Sequence, residues 1–233
     1  MNWLRSAGTG ITSLLFPMIC PGCGNDLQSA DDQICISCFH RLPVTEFHRH
    51  ASNPVEKIFW GRVPIQSACS YLYFTSQSIV QHLMHELKYN GNQEVGIFLG
   101  KQMGLSLAES DRFKSIEGII PLPLHAKRLK QRGYNQAAAI AQGISEVLGI
   151  PLLEDAIMRN QETNTQTKKS RVQRWENIEG KFSRVKSEAL EGKNILLIDD
   201  VITTGATLEA CALEILVGKA ASVSIATLAY TLM

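Results

Sequence analysis

NILLIDDVITTGATLEA, residues 194–210, runs from an apolar core into two adjacent aspartates and then into a patch of threonine, glycine and alanine. The four aliphatic residues 195–198 suit a strand buried on both faces, the habit of parallel strands covered by helices. The run TLEACALEILVGKA that follows reads as a helix. In open parallel sheets ligands bind beyond the carboxyl ends of the strands. Asp199 therefore begins the edge where function is expected.

Adjacent carboxylates at a strand end repel each other, and burial would raise their pKa. They make sense facing sugar hydroxyls or a metal, since Mg²⁺ takes oxygen ligands. The small residues after them let backbone N–H groups approach an anion, and the helix N-terminus adds its dipole. The segment thus offers a ribose grip beside a phosphate cradle. The plainer alternative is a strand–turn–helix with Thr203 or Thr204 as N-cap. A P-loop is excluded, because no Gly-Lys-Ser/Thr ending is present.

Working outward, strands and helices alternate. ACSYLYF is strand-like. SQSIVQHLMHELKYN has helical spacing, with Ser76 or Ser78 as N-cap and Gly91 as the stop. EVGIFLGKQMGLSLAES repeats the helical pattern, and IEGIIPLPL is a short strand stopped by prolines. NQAAAIAQGISEVLG is an alanine-rich helix closed by Gly149. IPLLEDAIMRN carries a strand and an edge, and SVSIATLAY the last strand. Residues 46–69 read as a connector. QETNTQTKKSRVQRWENIEGKF reads as a long basic loop, and loops of that length inside a domain are usually functional. The alternation predicts a parallel sheet with right-handed crossovers.

The 233 residues suffice for one α/β domain plus a small appendage. A net charge of +1 gives no overall argument for nucleic-acid binding, although basic residues cluster at 127–132 and 168–174. No stretch has the length of a membrane span. The opening MNWLRSAGTGITSLLFPMIC lacks a small-x-small cleavage pattern, so a short amphipathic helix and a cytoplasmic address are expected.

Cys20 and Cys23, then Cys35 and Cys38, form two C-x2-C pairs separated by eleven residues. Four thiolates suit a closed tetrahedral, structural Zn²⁺. Two disulfides, disfavoured among reduced thiols, and an iron–sulfur cluster are the alternatives. Gly22 and Gly24 let the first pair bend, whereas CISC lacks such glycines. Domain limits of 1–45 for this zinc module and 46–233 for the α/β domain follow. Cys69 and Cys211 read as core filling, and the His82/His85 pair as a solvated helix face.

ILLIDDVITTGAT resembles the phosphoribosyl-pyrophosphate (PRPP) motif of type I phosphoribosyltransferases. The resemblance implies that Asp199 and Asp200 bind the ribose hydroxyls, and that Thr203, Thr204, Gly205, Ala206 and Thr207 bind the 5-phosphate. Mg²⁺ accompanies PRPP in that reading. IIPLPLHAKRLKQRGYNQAAAIAQ, residues 119–142, and the Arg/Asn/Gly/Phe pattern of residues 174–182 resemble the ComF/GntX family. That family is phosphoribosyltransferase-like, carries a zinc element at this end and is associated with DNA uptake in competent bacteria.

By analogy Leu124, His125, Ala126, Lys127 and Arg128 form the pyrophosphate loop; on charge pattern alone the stretch reads equally as a solvated basic helix face. Arg132, Gly133, Tyr134 and Asn135 are the alternative anchors of a helix start. Arg159, Lys168, Lys169, Arg171 and Arg174 are candidates for a flexible loop closing over PRPP. Lys88, in an L-K-x-x-G element, is a candidate at the mouth of the site.

The implied function is Mg-dependent transfer of ribosyl 5-phosphate to an unnamed nitrogen acceptor, with pyrophosphate release, linked to natural competence. The alternative is a non-catalytic module that binds PRPP, a nucleotide or single-stranded DNA, or docks DNA-uptake proteins. In type I transferases a hood segment selects the acceptor, and here it is expected from residues 46–75 or the zinc module. Neither an acceptor nor an oligomeric state is legible.

Overall fold

The computed structural model describes residues 18–29, 31–160 and 182–231. At its centre lies strand β5, Asn194–Ile202, whose residues 195–198 are fully buried. It pairs in parallel with β2, Gly118–Pro121, on one side and with β6, Ser222–Thr231, on the other. β1, Ala68–Phe74, pairs in parallel with β6, so the strand order is β1-β6-β5-β2. The register sets Ile198 against Ala226 and Asp199 against Thr227. All four strands therefore end along the same edge, and Asp199 and Asp200 lie on it.

IPLLEDAIMRN, residues 150–160, adds a single parallel bridge from Leu152 to Ile119 and then forms its strand at its C-terminal end, outside the main sheet. This strand, β3, Ile157–Arg159, pairs antiparallel with β4, Phe182–Arg184, in a separate two-stranded sheet.

Seven α-helices are described. α1, Ile36–His40, belongs to the cysteine region, and α2, Pro54–Phe59, breaks the expected connector. Asn53 starts α2 by accepting from the N–H groups of Val55 and Glu56, with Pro54 at the first helical position. α3, Ile79–Tyr89, is capped by Ser78 and buries Val80, Leu83, Met84 and Leu87 on one face. α4, Gln93–Ala108, crosses α6, Gln136–Leu148, at very short range. A Cβ at Gly100 would stand 2.1 Å from the Ile140 carbonyl oxygen, and one at Gly143 would stand 2.1 Å from that of Ile97. The alanine and glycine content of these helices is thus a packing requirement. Between β2 and α6 runs α5, Ala126–Arg132, and after β5 comes α7, Ala206–Val217.

The expectation of a loop over residues 124–128 is corrected by α5. His125 is its N-cap, accepting from the Lys127 N–H, so residues 126–128 are helical. Among the described residues no helix is long and apolar enough to cross a membrane.

Candidate functional site

The edge of the sheet opens into a cleft of about 200 Å³. Asp199 and Asp200 form its floor, with Thr207 beside them from α7. Among the described residues four cations line it: Lys88, Arg128, Arg132 and Arg159. They come from α3, α5 and β3, and outnumber the two carboxylates. That surplus of positive charge suits a polyanion.

The acidic pair is held asymmetrically. Asp199 accepts the backbone N–H of Asp200 at 2.8 Å, whereas Asp200 pairs with Lys88 Nζ at 3.0 Å. Burial drives the Asp199 carboxyl well above the ordinary carboxylate range, and the charge of Asp200 pushes it further. The Asp200 N–H, Lys88 and Arg159 pull in the other direction. Directly behind lies the buried thiol of Cys211, raised by burial and by the charge of Asp199.

At the start of α7 the threonine cap of the plainer strand–turn–helix alternative is absent. Gly205 is the N-cap at φ +70°, and no side chain satisfies the first amides of α7. Those N–H groups are left to solvent or to an anion. Thr203, Thr204 and Ala206 are exposed around them. Gly205 is required on two counts. Its φ favours glycine, and a Cβ would meet Ile58 at 2.7 Å and Phe59 at 3.1 Å. α2 is thus the backing plate of this loop.

Of the five residues assigned to the pyrophosphate loop, Leu124 and Arg128 line the cleft, and His125, Ala126 and Lys127 are not among its lining. The GYN triplet that follows is the turn between α5 and α6. Gly133 ends α5 at φ +80°, and Asn135 caps α6 through the Ala137 N–H. Asn135 Nδ2 also donates to the Leu122 carbonyl at 3.0 Å, tying the turn to the end of β2. Tyr134 Oη donates to the Leu87 carbonyl, next to Lys88. Arg132 turns into the cleft, its Nη1 donating to Gln136 at 2.6 Å. Lys168, Lys169, Arg171 and Arg174 lie outside the described residues.

The second polar centre is the cysteine cluster. The Sγ atoms of Cys20, Cys23, Cys35 and Cys38 all lie within 4.8 Å of one another. A tetrahedron with bonds of ~2.3 Å has edges of about 3.8 Å, so the donor set fits zinc. Backbone donors support the sulfurs: Cys35 N–H points at Cys20 Sγ at 3.2 Å and Cys38 N–H at Cys35 Sγ at 3.4 Å. Burial raises the Cys20 thiol, but N–H groups of Cys35, Gly22 and Cys23 outweigh it and bring the pKa to about 7. The bend missing from CISC is supplied by a helix start, since Cys35 is the N-cap of α1.

This cluster docks on α3. A Cβ at Gly22 would meet Cys38 Sγ at 2.9 Å and Ile79 at 3.1 Å. His82 is exposed, as expected, and sets Nδ1 3.1 Å from the Gly22 carbonyl oxygen. α3 therefore touches the cysteine cluster near its start and the acidic pair at Lys88.

Two contacts were not legible in the sequence. Lys88 was marked only by a short family element, and its ion pair with Asp200 joins residues 112 positions apart. Arg62 carried no signal, yet its Nη1 donates to the Thr204 carbonyl at 2.8 Å.

Residues 134–232 match the family described as "Phosphoribosyl transferase domain". "Competence protein F" of Haemophilus influenzae is 30% identical over 195 residues, covering 82% of this chain and 80% of its own. "Competence protein ComFC" of Bacillus subtilis is 28% identical over 213 residues, covering 90% and 83%. "DNA utilization protein YhgH" of Escherichia coli K12 is 27% identical over 217 residues, covering 92% and 91%. Among solved structures, a glutamine PRPP amidotransferase of B. subtilis superposes on 61% of this chain with a TM-score of 0.45 and 20% identity. This chain spans about 30% of that chain's length.

Proposed function

The chain belongs to the ComF/GntX family, and on that premise we propose that the cleft binds PRPP with Mg²⁺ and transfers its ribosyl 5-phosphate to a nitrogen nucleophile. The observation that carries this reading is the acidic pair at the end of β5, set between an uncapped helix N-terminus and four cations. No other single feature matches the three parts of PRPP so closely: hydroxyls for the carboxylates, a monophosphate for the amides, a diphosphate for the cations.

In this reading Asp199 and Asp200 accept hydrogen bonds from the ribose 2- and 3-hydroxyls. The N–H groups of residues 203–207 and the hydroxyls of Thr203, Thr204 and Thr207 take the 5-phosphate. Lys88, Arg128, Arg132 and Arg159 face the pyrophosphate. As the bond from C1 to the pyrophosphate oxygen breaks, negative charge grows on the leaving group, and fixed guanidinium groups stabilise it without reorganising. Asp199 and Asp200 are the oxygen donors that would hold a Mg²⁺ accompanying PRPP, which would add charge neutralisation for the diphosphate. The remaining contribution is positioning. Closure by the basic residues at 168–174 belongs to the same proposal and would keep water from the reactive centre.

A second reading is favoured by the names of the relatives, which concern competence and DNA utilization. In it the chain acts in DNA uptake without turnover, as a PRPP, nucleotide or single-strand binder and partner scaffold. Structural zinc in the cysteine cluster is common to both readings.

The test is calorimetric titration of PRPP with Mg²⁺ into wild type and Asp199→Asn/Asp200→Asn. The expected result is saturable binding that the double variant loses by more than about a hundredfold. No binding by folded wild type removes the transferase reading. Salt-dependent single-strand affinity, indifferent to the double substitution, would then favour the scaffold.

A further inference from the structure

The loop at residues 203–207 is braced from outside the strand and helix it joins. Arg62 follows α2 in sequence and lies before the matched residues 134–232. Its Nη1 donates to two carbonyls, Thr204 at 2.8 Å and Ile58 at 3.0 Å. Its Nε donates to Glu209 Oε2 at 3.0 Å, and its Nη2 pairs with the same carboxylate. One planar guanidinium thereby ties together α2, the loop and the first turn of α7. Lysine could not serve three acceptors in these directions.

The electrostatics explain why such a brace is needed. Glu209 sits in the first turn of α7 and is nearly buried. A carboxylate there stabilises the helix dipole, but it also repels any second anion brought to the same N-terminus. The Thr204 carbonyl is a further partial negative charge beside the amides. Arg62 neutralises the first and draws on the second.

Resting on the PRPP reading above, we propose that Arg62 is a positioning residue for the monophosphate end of the site. It holds the Thr204 carbonyl and the Glu209 carboxylate away from the cradle, so that the loop amides present a net positive face. The residue does not touch the ligand. Its effect is therefore specific to ligands that carry a monophosphate. Binding of pyrophosphate at the opposite, cationic wall does not depend on it.

The experiment uses Arg62→Ala, Arg62→Lys and Arg62→Ala/Glu209→Gln in the full chain. Two quantities are read: affinities for ribose 5-phosphate and for pyrophosphate, and amide hydrogen exchange of residues 203–210 without ligand. Arg62→Ala is expected to weaken ribose 5-phosphate by about tenfold or more while pyrophosphate changes by less than about twofold. Exchange at 203–210 rises. Removing the stranded charge in the double variant recovers part of the affinity, and Arg62→Lys falls between. If Arg62→Ala fails to fold, Arg62→Lys carries the same comparison.

Unchanged exchange in the Arg62 variants overturns the proposal. So does an equal loss of both ligands, which marks a general structural role. Wild type that binds neither ligand removes the PRPP reading, and the exchange measurement still decides whether Arg62 braces the loop.

Discussion

The cysteine cluster and the cleft both gather groups that repel one another when charged, and they contain the repulsion in opposite ways. The four thiols lie within nineteen residues of chain, closed around their own centre, with backbone N–H groups turned toward the sulfurs. The two carboxylates lie at an open edge and borrow their compensation from distant segments: Lys88 from α3 and Arg159 from β3. A closed centre with four protein donors leaves no position for a substrate, whereas the cleft keeps its acceptors and cations facing outward. A structural centre can thus be built locally. A binding centre of this kind needs the tertiary fold.

The hardest test of that contrast is to break the proposed zinc site. Cys38→Ser should reduce zinc from about one per chain to near none by elemental analysis. Structural zinc sites in small modules bind with about 10–16 kcal/mol, so residues 18–45 should lose their fold and become protease-sensitive. The sheet core should persist, because β5 lies between β2 and β6 with residues 195–198 fully buried. A variant that keeps its zinc, or keeps the module intact without it, would end the view of this centre as metal-built.

A matched pair of glycines sharpens the comparison next. Gly22→Ala pushes a Cβ against Cys38 Sγ, and Gly205→Ala pushes one against Ile58 and Phe59 at a φ of +70°. The second change combines steric clash with backbone strain, about 1–3 kcal/mol from the strain alone. Gly205→Ala should lower Tm by more than Gly22→Ala and weaken PRPP by over about tenfold. Gly22→Ala should weaken zinc retention while leaving PRPP affinity within about threefold. Equal effects of both changes on both ligands would show that the two centres are one mechanical unit.

How far the sequence reaches follows the same division. β1 and β6 lie within a residue or two of their expected limits, because buried aliphatic runs and turn residues are local signals. The parallel sheet follows from alternation, and the cysteine cluster from spacing. α5 is legible only as a basic, solvated helix face, because its seven residues, AKRLKQR, bury no side chain and so carry no apolar stripe. α2 was hidden by its shortness. In IPLLEDAIMRN the strand is present, but as β3 in a separate sheet, and Leu152 adds only a bridge to the main one. Within the cleft, the acidic pair and the glycine turn are legible as chemistry. Arg62 is not, since a lone arginine in a connector has no pattern, and its partners stand 142 and 147 positions away.

Lys88 tests whether the cleft's compensation is really borrowed. Lys88→Met keeps the stem and removes the charge that faces Asp200 and lowers Asp199. Asp199 should then hold its proton to higher pH. PRPP affinity should drop by about tenfold at pH 7, with its pH profile displaced toward alkaline values. An unshifted profile with normal affinity would mean that α3 only abuts the site.

The smallest expected effect concerns Asp199 alone, and its sign runs against intuition. Burial and Asp200 raise its folded-state pKa above that of the unfolded chain. Between those two values the folded protein holds a proton that the unfolded chain has released. Stability of the ligand-free protein is therefore fully present below the ordinary carboxylate pKa, and falls as pH rises through the raised one. Asp199→Asn removes the titration, so its Tm should decline less across that window. At pH 8 the variant should be more stable than wild type, by roughly 1 kcal/mol or about 2–4 °C. Its PRPP binding should nevertheless be lost, because an amide cannot accept from the ribose hydroxyls as a carboxylate does or neutralise a bound cation. A thermal scan series from pH 4 to 8 reads this directly. Identical pH slopes in the two proteins would locate the strain elsewhere, and the acidic pair would then not be the place where this fold gives up stability for binding.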